Sequence, residues 1–220
     1  MSAAVLAERP STAAPPAPAG APAVPDRAVL VRAIELQNAG QVDEAERLFR
    51  HYLDHFPLDP AALYSLAVIL LRRPDTPAVL ALLAPAVQQG VAFAPVWFAH
   101  GTALQNQGRR EEALASYDRA LALQSDYTEV LINSGVLLRE LHRHGPALER
   151  FNRVLITKPN HETALANCAV LLTEFKRSED AQRMLERLLA INPDYDYGLG
   201  LLAYERLHVC DWREAEALQA

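Results

Sequence analysis

The sequence predicts an all-α solenoid of helix-turn-helix units, on three columns of a gapless 34-residue period that starts at Asp26. Units begin at Asp26, Pro60, Ala94, Thr128, Glu162 and Asp196. Position 8 of successive units carries Ala33, Ala67, Gly101, Gly135, Ala169 and Ala203, all small enough for two helix backbones to approach closely. Position 20 is small again apart from one valine: Ala45, Val79, Ala113, Ala147, Ala181 and Ala215. Position 24 carries the large groups Phe49, Leu83, Tyr117, Phe151 and Leu185, which fill the space between units. A unit of this kind has an apolar face it cannot hide alone, so stacking on its neighbours supplies the core.

Taken in order, residues 1–25 mix alanine and proline with little to bury, which predicts a disordered tail. It has no apolar stretch behind a basic start and so is not a secretory signal. Five full units follow, at 26–59, 60–93, 94–127, 128–161 and 162–195, and 196–220 reads as a partial sixth. Position 32 is proline in three of them (Pro57, Pro159 and Pro193), which halts the second helix before the next unit begins. The second unit departs most. Pro74 replaces the turn glycine, Pro77 suits a first helical turn, and Pro85 removes a hydrogen bond inside the following helix. Pro146 opens a helix at small cost.

The unit at Ala94–Asp126 is the best formed, with Trp97, Gly101, Leu104, Gly108, Ala113, Tyr117 and Ala120 at positions 4, 8, 11, 15, 20, 24 and 27. This spacing resembles the tetratricopeptide repeat, a pair of antiparallel helices. The resemblance implies a right-handed superhelix whose concave groove is lined by first helices through positions 2, 5, 6, 9, 12 and 13. Position 6 carries Val31, Ser65, Ala99, Asn133, Asn167 and Leu201. An asparagine amide is both donor and acceptor, so Asn133 and Asn167 form a short ladder able to hold the peptide backbone of an extended ligand. Thr102, Gln105, Asn106, Arg139, Glu140, Thr173 and Glu174 surround it, and Tyr64 and Phe98 offer apolar contact. Ser65, Tyr64 and Phe98 extend the same face backwards. A carboxylate clamp is disfavoured, since the groove has Arg72 and Arg139 but neither lysine of the chain.

Composition narrows the function. A net charge of −6 and no long basic block argue against a nucleic-acid surface. No run is long and apolar enough to span a bilayer, so no membrane partner is expected. The two cysteines, Cys168 and Cys210, are too few for a disulfide framework and lack metal-ligand spacing, which points to a reducing, cytoplasmic setting. Cys168 stands at a core position. His51 and His55 share a helix face, and His142 and His144 flank a turn, but no third ligand accompanies either pair. Glycine-rich phosphate loops, His-Glu-x-x-His and Gly-x-Ser-x-Gly are all missing, so no catalytic residue, cofactor or metal is expected. Glu111, Glu112, Glu149, Glu179 and Asp180 are read as carboxylates at second-helix starts, favoured there by the helix dipole.

Near the C-terminal end, His208-Val209-Cys210-Asp211-Trp212 resembles a Cys-Asp-Trp segment of O-linked N-acetylglucosamine transferases and their bacterial relatives. There it marks the passage from repeats toward the glycosyltransferase domain, and the asparagine ladder points the same way. That resemblance implies a substrate-recruiting arm whose enzyme domain lies downstream, and no catalytic residue carries over. Ala215 and Leu218 form an apolar stripe with no capping helix after it, as in a fragment of a longer protein or an edge covered by a partner. Three functions are therefore carried forward: a module binding protein or extended peptide in the groove, the recruiting arm of a glycosyltransferase, and a scaffold that self-associates through the C-terminal edge.

Overall fold

The computed structural model describes residues 27–73, 75–196 and 198–208. Among them run α1 (Arg27–Asn38), α2 (Val42–His55), α3 (Pro60–Leu71), α4 (Thr76–Gln88), α5 (Ala94–Asn106) and α6 (Arg110–Leu123). They continue as α7 (Thr128–Glu140), α8 (His144–Thr157), α9 (Glu162–Glu174), α10 (Ser178–Ile191) and α11 (Gly198–His208). The described residues contain no strand. Each helix packs on its neighbours in sequence, and first helices also meet one unit apart, α3 on α5 and α7 on α9. The chain is an all-α solenoid.

The period-34 columns are packing columns. Phe49, Leu83, Tyr117 and Phe151 are fully buried and Leu185 nearly so, while Ala45, Val79, Ala113, Ala147 and Ala181 are all fully buried. A second set, positions 3, 7 and 10 of the first helices, faces the preceding unit. Ala62, Leu66 and Ile69 are buried in α3, and so are Ala164, Cys168 and Leu171 in α9. The same positions in α1, Ala28, Arg32 and Glu35, are exposed, with Arg32 and Glu35 paired at 3.3 Å. A solenoid end needs such a polar face. Cross-unit ion pairs lie on the surface: Arg143 holds Glu111 through both terminal nitrogens at 3.0 and 2.7 Å, and Arg73 reaches Asp43 and Glu46 at 2.6 and 2.7 Å. Exposed pairs of this kind contribute little each.

Local chemistry ends α1, α5, α7 and α9 in the same way. The N–H groups of Gln41, Arg109, Arg143 and Arg177 donate to the carbonyls of Leu36, Leu104, Leu138 and Leu172 at 2.8 to 3.0 Å. This Schellman closure needs a left-handed residue just before the donor. Gly40 and Gly108 supply it with φ of 80° and 74°, but His142 and Lys176 adopt φ of 56° and 57° without being glycine. A non-glycine residue is strained there by about 1 kcal/mol. His142→Gly is accordingly expected to raise the stability by about 1 kcal/mol, read as a higher melting temperature. An unchanged or lower one would mean that ring stacking on His144, with centroids 5.8 Å apart, outweighs the strain. Asp59 caps α3 by accepting from the Ala61 and Ala62 amides at 3.0 Å, with Pro60 in the first turn, and Asp75 caps α4 ahead of Pro77.

Pro85 lies inside α4, where the sequence pattern puts it. One expectation changes. Glu111, Glu112, Glu179 and Asp180 occupy first turns, but Glu149 does not: α8 starts at His144 and places Glu149 in its second turn, beyond the reach of the terminal dipole. The tail at 1–25, Pro74, the Cys210-Asp211-Trp212 segment, and Ala215 with Leu218 lie outside the described residues.

Candidate binding groove

The groove residues of the third and fourth units converge on one hydroxyl that the sequence reading assigned to packing alone. Tyr117, fully buried on α6, donates to the Gln105 side-chain oxygen at 2.8 Å. Its oxygen also lies 3.4 Å from Thr102 Oγ1, which itself donates to the Phe98 carbonyl at 3.0 Å. Burial raises the Tyr117 hydroxyl above the ordinary phenol range, and the neighbouring Thr102 and Asn133 side chains pull it back in part. Thr102 and Gln105 on α5 thus meet at the α6 hydroxyl, with Asn133 of α7 beside it.

Beside it stands an aromatic wall. Tyr127, in the loop before α7, has its ring centroid 5.5 Å from that of Phe98, and Phe98 lies 6.2 Å from Tyr117. Tyr64 on α3 stands beside Tyr127, whose hydroxyl is pushed well above its usual range, first by burial and then by Tyr64. Tyr64 and Phe98 are therefore joined by a loop tyrosine that has no place in the first-helix pattern.

Asn167 and Arg139 share a cavity of about 310 Å³ over the apolar side chains of Ala166, Val170 and Leu201. The Asn167 amide donates to the Thr163 carbonyl of its own helix at 2.8 Å. The two asparagines are thus turned to different tasks, Asn133 to Tyr117 and Asn167 to its own helix and the cavity. Thr173 and Glu174 border a larger cleft of about 780 Å³ between the α9–α10 turn and α11. Glu174 pairs with His144 Nδ1 at 2.5 Å. Glu140 lies at the rim, 3.4 Å from Arg110 Nε, and Asn106 is exposed at the end of α5. The Ser65 carbonyl, rather than its hydroxyl, accepts from Gln37 at 3.5 Å. Ala99 is fully buried and so does not line the groove.

Elsewhere, Cys168 is fully buried, its thiol pushed up to about 12 by burial, which makes it a packing group and a poor nucleophile. His100, next to the Ser116 hydroxyl at 2.9 Å, is held below the usual imidazole range by burial and then by Arg109. His51 and His55 meet edge to face at 5.4 Å. Among the described residues no group of three or more His, Cys, Asp or Glu is placed to hold a metal ion, and no helix is long and apolar enough to cross a membrane.

The tetratricopeptide repeat profile matches residues 30–90 and 98–162, and a second profile of the same description matches 138–203. No curated protein matches the sequence. Solved structures do match in fold. PilF from Pseudomonas aeruginosa superposes with a TM-score of 0.72 at 20% identity, covering 87% of each chain. A tetratricopeptide repeat protein from Parabacteroides merdae gives 0.65 at 18% identity, over 87% of this chain and 76% of its own. YrrB, described as a TPR protein with an unusual peptide-binding site, gives 0.66 at 22% identity, over 78% and 89%.

Proposed function

The chain belongs to the tetratricopeptide repeat family, and we propose that it is a protein-interaction module that takes an extended segment of a protein partner along its concave, first-helix face. The observation that carries this reading is the cavity in which the Asn167 amide and the Arg139 guanidinium stand over the apolar side chains of Ala166, Val170 and Leu201. An extended segment presents peptide groups along its edge and side chains toward the floor. Asn167 spends one amide N–H on Thr163, and its chemistry still provides a second N–H and an oxygen for a peptide group. The wall of Tyr64, Phe98 and Tyr127 offers flat contact farther along the same face.

The two asparagines call for different tests. Asn133→Ala alters the surroundings of the buried Tyr117 hydroxyl, so its effect on binding is mixed with one on packing. Asn167→Ala removes a bond that its helix does not need and is the clean variant. Peptides recovered by panning a displayed random library against the wild-type chain are expected to bind Asn167→Ala about tenfold more weakly, with an unchanged melting temperature. Equal affinity for both proteins would remove Asn167 from the groove's function.

A further inference from the structure

The interface between the last two units breaks the pattern that the others keep. Position 10 of the first helices is Ile69, Ala103, Leu137 and Leu171 in the second to fifth units, each no more than 1% exposed. The next member of the column is Glu205, also 1% exposed, and neither of its carboxylate oxygens has a hydrogen-bond partner. Position 21, on the second helix of each unit, is Glu46, Leu80, Leu114, Leu148 and Gln182, and the buried amide nitrogen of Gln182 is likewise unpartnered. Where α11 packs on α10 both positions are polar and neither is partnered, whereas Glu46, at the first interface, is held by Arg73 at 2.7 Å.

A buried carboxylate without a partner is costly. Its surroundings show what would complete it. Glu205 lines the 780 Å³ cleft together with its neighbour Tyr204 and the α9–α10 turn. The arginines near the cleft are engaged: Arg177 and Arg183 both hold Asp180, and Arg206 holds Glu186 at 2.9 Å. Glu174 is bonded to His144. The lining is mainly acidic, with Glu174, Glu179, Asp180 and Glu205, and Lys176 is a further cation in it; both Glu205 oxygens are shut off from solvent, so an incoming cation meets them only by displacing part of the lining.

We propose that this cleft is a socket for the cationic side chain of an arginine or lysine on a bound protein segment, with Glu205 as its buried counter-ion. The proposal rests on the groove reading, since Thr173 and Glu174 of the groove border the cleft, and it adds a side-chain requirement to a face that otherwise holds backbone.

The test uses small probes that need no groove. N-acetyl-arginine amide and N-acetyl-lysine amide are titrated into the whole chain, with the neutral N-acetyl-citrulline amide as control, following chemical shifts of carboxyl-labelled glutamate. Saturable binding of either cation is expected, with at least about tenfold weaker binding in Glu205→Gln, a variant of the same shape, and none by citrulline. Lys176→Ala, which removes a like charge from the lining, is expected to bind at least as well as the wild type. Circular dichroism of each variant guards against loss of α11. No saturable cation binding, or binding that Glu205→Gln or the neutral probe retains, would overturn the socket. Such a failure would leave the groove standing if library peptides still bind, and binding of the cation by a chain that captures no peptide would separate the two in the other direction.

Discussion

Gly101→Leu is expected to lower the stability of the third unit by about 3 kcal/mol. Even a bare Cβ at Gly101 would stand 2.7 Å from Tyr117 Cε1 and 3.2 Å from the Ala113 carbonyl oxygen. The ring cannot simply turn away, because its hydroxyl is tied to Gln105 at 2.8 Å. Gly135 makes an informative contrast. Its Cβ would meet Phe151 at 2.8 Å, but Phe151 has no hydroxyl to anchor it, and alanine already stands opposite phenylalanine at the equivalent positions Ala33 and Phe49. Alanine also gains about 1 kcal/mol over glycine in a helix. Gly135→Ala should therefore come out close to neutral, and Gly101→Ala should be destabilising. In a solenoid each unit is held only by its neighbours, so a weakened central unit uncouples the two halves. Urea unfolding of Gly101→Leu is expected to start earlier and to spread into two steps. A single transition with an unshifted midpoint would show that the crossing has slack that the contacts do not reveal.

What could be read from the sequence follows from where the constraint lies. Positions 8, 20 and 24 are set by contact between helices that recurs in every unit, so Ala45, Phe49, Ala113 and Phe151 announce their burial through repetition. The left-handed turn recurs after α1, α5, α7 and α9 as well, but it is a backbone property. His142 and Lys176 keep it without the glycine that signals it at Gly40 and Gly108. The groove was legible as a face and not as a network. Thr102, Gln105, Asn133, Asn167 and Arg139 could be assigned to one side of the first helices, but the hydroxyl that gathers three of them belongs to a second-helix core residue. The signal was present: among the five full units Tyr117 stands in a column whose other members are Phe49, Leu83, Phe151 and Leu185. Tyr127 sits in a loop, where the period places no demand, and nothing local could have marked it.

Glu205→Leu is expected to stabilise the C-terminal end by about 1–3 kcal/mol, the cost of leaving a buried polar group unpaired. The substitution restores the apolar column of Ile69, Ala103, Leu137 and Leu171, where each side chain is no more than 1% exposed. Adding Gln182→Leu should extend the gain, because the amide nitrogen on the facing helix is also buried without an acceptor. The location of the gain matters as much as its size. Among the described residues α11 packs chiefly on α10 and exposes Leu199, Tyr204 and Leu207 at 55%, 51% and 53%, so it is expected to open before the central helices. Slower amide exchange in α11 and the end of α10, with little change in α3 to α7, is the expected readout. If exchange in α11 quickens, the carboxylate is satisfied in solution and the column is not apolar by design. A stable Glu205→Leu that no longer binds the cationic probe would show stability and binding competing at one position, as sites that hold an unpaired group for a ligand do.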